Sequence, residues 1–169
     1  MNEPRATRPH MPGYGIRAAD EGTGLLPWSW AVTRLTVAHD YWVATVCPDG
    51  RPHVVPVWGL WQDDALWFSA GLQSRKARNL EAEPRCSITT DNAHQPVVVD
   101  GVAERITDLD RVAGFADALN RKYATQYGAD FYDPAVNGTY RVIPRSAFAL
   151  DDDDFTGSPT RWSFPDDPA

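Results

Sequence analysis

The sequence predicts a mostly β protein of the α+β kind, an antiparallel barrel with helices attached outside it. Strand-like apolar runs recur over 41–47, 51–61, 65–70, 86–90, 97–106 and 139–150, separated by turn residues such as Pro48, Asp49 and Gly50. The strands come in runs with helices at the ends, rather than as alternating βαβ units. A glycine-rich nucleotide fingerprint after a first parallel strand is absent, and so is any internal repeat.

Residues 1–26 are rich in Gly, Pro and charge and read as a flexible arm, or as an extended segment lying on a partner subunit. Pro27 opens a short helix in which Trp28, Val32 and Leu35 recur at helical spacing through about His39. The barrel domain then runs over 27–150. Its first three strands form a meander, and the middle one is apolar on both faces, with Val55, Val57 and Gly59 on one side and Val54, Pro56, Trp58 and Leu60 on the other. One face belongs to a barrel core; the other must meet a ligand, a subunit or both. Pro52 and Pro56 cannot donate to a strand ladder, so this strand belongs at an edge or bulge. A helix follows Ser74, then two strands, then a helix opened by Thr107 and Asp110 in which Leu109, Val112, Ala116, Leu119 and Tyr123 share one face through about Tyr127. That helix reads as packing. Residues 151–169 form a C-terminal arm.

Ser74, Arg75, Lys76, Ala77 and Arg78 place three cations within four residues, in a chain of formal net charge −7. A helix start leaves backbone N–H groups unpaired and carries partial positive charge, so it suits an anion. Cations there oppose the helix dipole unless an anion is present, and an Arg fork beside a Lys point charge can grip different oxygens of one phosphate. The competing reading is a solvated first turn.

The acidic balance excludes a phosphate-backbone partner such as DNA. No apolar run approaches the roughly 20 residues of a membrane span, and the first residues lack the apolar core of a secretion signal. Cys47 and Cys86 lie inside strand-like runs, which suits buried, reduced thiols in a cytoplasmic protein. Asp151 to Asp154 lacks the glycine and distal Glu of a calcium loop and reads as a solvated turn.

Ser74, Arg75, Lys76, Ala77, Leu80, Pro84 and Arg85 together resemble the phosphate-binding stretch of the pyridoxamine 5′-phosphate oxidase-like family, which includes enzymes using the deazaflavin F420. Asp100 to Arg105 and Gly138 to Pro144 agree as well, in order, so the resemblance spans about 41–164. It implies a six-stranded, Greek-key split β-barrel that forms a homodimer and binds FMN or F420 non-covalently at the dimer interface. By the same resemblance Arg75 and Lys76, with Ser74, bind the cofactor phosphate, and Phe68 and Ser69 contact the phosphate or ribityl chain. His53, Val54, Val55, Pro56, Val57 and Trp58 lie along the ring, and Arg161, between Thr160 and Trp162, belongs to an arm reaching a flavin site, that of the other subunit. Gln95 is an approximate counterpart of a flavin-contacting Gln, and Leu150 and Phe155 are alternative counterparts of a C-terminal Trp. The oxidase's substrate-phosphate pattern of Tyr, Arg and Ser is missing over 115–127, which argues against turnover of pyridoxamine phosphate.

The expected activity is therefore FMN- or F420-dependent hydride transfer to or from a small planar organic substrate. The cofactor carries the chemistry, so no Ser, His, Asp set or paired carboxylates are required. The alternative is a non-catalytic flavin- or haem-binding protein, with His39, His53 and His94 as the candidate haem ligands.

Overall fold

The computed structural model describes residues 3–165. Its strands are β1 (Arg5–Thr7), β2 (Asp40–Val46), β3 (Pro52–Gln62), β4 (Ala65–Gly71), β5 (Arg85–Thr90), β6 (Val97–Ile106), β7 (Asn137–Ala149) and β8 (Thr160–Ser163). The helices are α1 (Trp28–Val37), α2 (Arg75–Ala82) and α3 (Leu109–Tyr123), with single 3-10 turns at Ala129–Tyr132 and Asp152–Asp154.

All pairings are antiparallel. Going round the barrel the order is β2, β3, β4, β7, β6 and β5, with β5 returning to β2, so six strands close on themselves in Greek-key order. Two extra strands extend the sheet: β8 pairs with Ser146–Ala149 of β7, and β1 pairs with β8. The long β6–β7 ladder bends at a bulge, where the register passes from Asp100↔Ser146 to Gly101↔Pro144. A Cβ on Gly101 would lie 2.5 Å from the Ile143 carbonyl oxygen, so only glycine permits this approach.

Three apolar clusters hold the fold together. Tyr41, Val43, Phe68, Ile88, Tyr140 and Val142 fill the barrel interior, and Ala77 and Leu80 of α2 close one end. Leu26, Ala31, Leu35, Val97, Val99 and Trp162 form a second cluster under α1, and Trp67, Phe115, Leu119 and Tyr132 form a third under α3.

One helix boundary and the placing of the N-terminal segment follow from contacts the structure supplies. Asp108, not Thr107, caps α3 by accepting from the Arg111 N–H, and the helix stops at Tyr123 because Ala124 turns left-handed. The segment expected to be an arm lies on its own C-terminal region: Arg8 donates to the carbonyls of Pro159 and Gly157, both at 2.8 Å. No described helix is long and apolar enough to cross a membrane.

Candidate functional site

β3 is the element that makes a cleft. Its first half, Pro52 to Trp58, pairs with β2, but its ladder to β4 contains only Gly59↔Phe68 through Gln62↔Ala65. Beyond Gly59 the two strands part, leaving the β3 edge from Pro52 to Trp58 without a strand partner on that side among the described residues. This is the edge that the two prolines demand, since neither could feed a ladder there. A Cβ on Gly59 would lie 2.7 Å from the Trp67 carbonyl oxygen, so the strands part at a glycine.

α3 latches the point of separation. Lys122 Nζ donates to the carbonyls of Ala38 at 2.6 Å and Gly59 at 2.7 Å. The Tyr123 hydroxyl accepts from the Gly59 N–H at 3.0 Å and donates to the His39 carbonyl. Burial lowers the Lys122 pKa to about 8 against the weaker opposing pull of Asp40 and Asp91.

At the other end of the cleft β4 ends at Gly71 and α2 begins at Arg75. Ser74 caps the helix, its Oγ accepting from the Ala77 N–H at 3.3 Å, and the Arg78 N–H bonds the Ser74 carbonyl. The N–H groups of Arg75 and Lys76 have no partner among the described residues, as the first turn of a helix dictates. Lys76 is partly buried, burial lowers its pKa, and its ammonium makes no hydrogen bond or ion pair among the described residues. In the β2–β3 turn Asp49 is held below the usual carboxylate range first by hydrogen bonds from Arg51 and, more weakly, by the charge of Arg75. Asn79, fully buried, fixes the helix to this turn by donating to Thr45 Oγ1 at 2.9 Å and Cys47 Sγ at 3.6 Å.

The other sequence-predicted residues divide by strand period. His53, Val55 and Val57 share the barrel side of β3, opposite Thr45, Val43 and Tyr41, whereas Val54, Pro56 and Trp58 face outward. Phe68 is fully buried and its ring stacks on Tyr140 with centroids 5.3 Å apart, so only its backbone can serve a ligand. Ser69 is partly buried opposite Thr139. Arg161 lies on β8, separated from β3 by β7 and β4, so one chain does not bring it to the cleft.

Residues with other expected roles are engaged elsewhere. Gln95 accepts from Arg34 at 2.7 Å and donates to Asp151 at 2.9 Å. His94 pairs with Asp152 at 2.5 Å, and His39 with Asp40 at 3.1 Å. Asp151, Asp152 and Asp153 could converge on a cation by spacing alone, yet Asp151 already accepts from Gln95 and the Asp153 N–H, and Asp152 is held by His94. Burial, with a smaller push from Asp100, raises the Cys86 thiol to about 12, which keeps it protonated and unreactive. Sequence reasoning missed Lys122 and Tyr123, because α3 was read as packing alone. The adjacent Lys–Tyr pair at the helix's last turn was the available signal.

The sequence profile of the pyridoxamine 5′-phosphate oxidase family matches residues 35–150. The chain belongs to this family. No curated protein matches it. Among solved structures, it is similar to the conserved hypothetical protein Rv2991 of Mycobacterium tuberculosis, with TM-score 0.66 and 21% identity over 75% of this chain and 86% of that one. An F420 reductase aligns with TM-score 0.58 and 27% identity, covering 68% of this chain and 93% of its own. A NimC/NimA family protein from Clostridium acetobutylicum aligns with TM-score 0.62 at 14% identity over 80% and 92% of the two chains, a likeness of fold. The match to the pyridoxamine 5′-phosphate oxidase family supports a flavin-related role at the level of the family.

Proposed function

We propose that this protein binds FMN or F420 in the cleft where β3 and β4 part, and transfers a hydride to or from a small planar organic substrate. The observation that carries this reading is Lys76: a partly buried ammonium with no partner among the described residues, beside Arg75 and two unpaired backbone N–H groups. A burial penalty without an internal partner is the mark of a charge kept for a ligand. The donor set fits a phosphate, because a guanidinium, an ammonium and helix-start amides all offer protons to anionic oxygens.

Each part of the cleft has a separate task. Arg75, Lys76 and the α2 amides hold the phosphoryl end. The unpaired β3 edge from His53 to Trp58 offers backbone hydrogen bonds to the rim of a flat heterocycle, and Lys122 and Tyr123 hold that edge in place through Gly59. When bound, the ring supplies the hydride chemistry. The protein's contribution is to position the substrate and keep water out. The 27% identity to an F420 reductase supports a deazaflavin, while the phosphate of FMN meets the same groups.

The outward face of β2 and β3 exposes Trp42, Val46 and Val54. Apolar strand residues of this size, adjacent across the ladder, suit a second copy of the chain, which we propose forms a homodimer over this face. Incubation with FMN and F420 in turn, followed by gel filtration, tests the cofactor reading. Co-elution of one chromophore with the protein at micromolar concentration is expected, and retention of neither overturns it. The elution volume reports whether a dimer is present.

A further inference from the structure

An aromatic strip begins where the open edge of β3 ends. Trp58 stacks on Tyr123 with ring centroids 4.4 Å apart and planes 5° from parallel. Tyr127 lies 6.4 Å from Trp58 and itself stacks on Phe131 at 4.3 Å and 16°. Trp58, Tyr127 and Phe131 remain 42%, 41% and 43% exposed, so rings from β3 and from the turn after α3 present one apolar surface beside the cleft.

This surface is held in place. Asn120 of α3 accepts from the Tyr127 N–H and donates to the Tyr127 carbonyl, both at 3.0 Å, which clamps the turn carrying Tyr127. Tyr123 is fixed in turn by its bonds to Gly59 and His39.

The charge around the strip is negative. Asp40 stands directly across the ladder from Trp58, and one of its carboxylate oxygens is buried with no hydrogen-bond partner while the other meets His39. Asp91 follows Thr90, which pairs with Tyr41, so it arrives at the same end of the sheet. Lys122, on which both carboxylates act, already donates to two backbone carbonyls.

We propose that this strip is the substrate platform, and that it takes extended planar aromatic molecules that are neutral or positively charged. Its place beside the chemistry rests on the cofactor reading of the cleft. Charge divides the two places: anionic groups find donors at α2, whereas at the strip they meet Asp40 and Asp91, with Lys122 already given to backbone carbonyls and His39 to Asp40. Flat, polarisable rings gain offset stacking on Trp58 and Tyr127, and a positive ring also gains attraction to the indole and phenol faces and to Asp40. Phosphorylated or carboxylated substrates are excluded for the same reason.

Two three-ring probes of opposite charge test this, 9-aminoacridine and anthracene-9-carboxylate, titrated by fluorescence into the full chain with FMN and F420 affinity measured in parallel. Binding of the aminoacridine at least about tenfold tighter than the carboxylate is expected. Loss of about tenfold in the double variant Tyr127→Ala, Phe131→Ala is expected too, with cofactor affinity unchanged. Asp91→Asn should narrow the preference between the two probes. Equal or tighter binding of the carboxylate, an unaltered probe affinity in the double variant, or a dimer that shuts the aminoacridine out overturns the proposal. Retained cofactor with no probe binding defeats the platform alone, whereas probe binding without retention of either cofactor defeats the reading of the cleft and leaves the platform standing.

Discussion

Replacing Lys76 by Met separates two effects that the position combines. In the free protein the Lys76 charge is partly buried and burial lowers its pKa. The folded state therefore holds this proton less tightly than the unfolded chain does. By linkage the charge opposes folding at neutral pH, and stability recovers as pH rises from the depressed folded value towards the ordinary 10.5. Methionine keeps the apolar stem and removes the charge, so the apoprotein should melt at the same temperature or higher, without the alkaline rise that Lys76 contributes. Cofactor binding should move the opposite way. One charge-assisted contact to a phosphate is worth about 1.5–3 kcal/mol, which is a loss of about 10- to 150-fold in affinity for FMN or F420. Thermal melting of the apoprotein and fluorescence titration with each cofactor read the two quantities independently. An affinity within about twofold of the original, or a destabilised apoprotein, would show that Lys76 serves the fold and not a ligand.

Trp162 is fully buried and packs its ring 5.3 Å from that of Trp28, so Trp162→Ala should destabilise the monomer by about 3–5 kcal/mol, read from denaturant unfolding. A change below about 1 kcal/mol would mean that β8 is not part of the core. Gly101→Ala puts a methyl against the Ile143 carbonyl oxygen and should cost about 1–3 kcal/mol by the same measurement, and a neutral result would contradict the close approach at the bulge. His94 beside Asp152 should titrate above 6.5 by NMR, and Asp152→Asn should bring it back down. The sign follows from the raised folded pKa: the pair's contribution is complete below 6.5 and is lost as pH rises through the folded value. An unshifted His94 would mean the pair does not form in solution.

The elements of the barrel were legible because strand pairing leaves a record in alternation, and because Pro52 and Pro56 exclude a two-sided ladder along the first half of β3. Ser74 was legible as a cap for the same kind of reason, since its hydroxyl serves a backbone N–H three residues away. Contacts of this range depend only on neighbours in the chain. The anchoring of the N-terminal segment through Arg8 spans about 150 residues and has no local signature, so composition could not show which surface that segment lies on. Arg161 and Trp162 show the same limit: alternation along β8 could not tell whether Trp162 faces this chain's own core or a partner.

The amino-acid sequence by itself determined the antiparallel barrel, the open edge in its third strand and the cationic helix start, because each rests on residue chemistry acting over a few positions. Tertiary structure alone decided that Lys76 is half-buried without a partner among the described residues, that Lys122 and Tyr123 latch Gly59, and that Trp58 meets rings from α3 and the turn beyond it. Those facts depend on which distant segments close around a side chain, and burial, stacking and unpaired charge acquire a value only when the chain has folded.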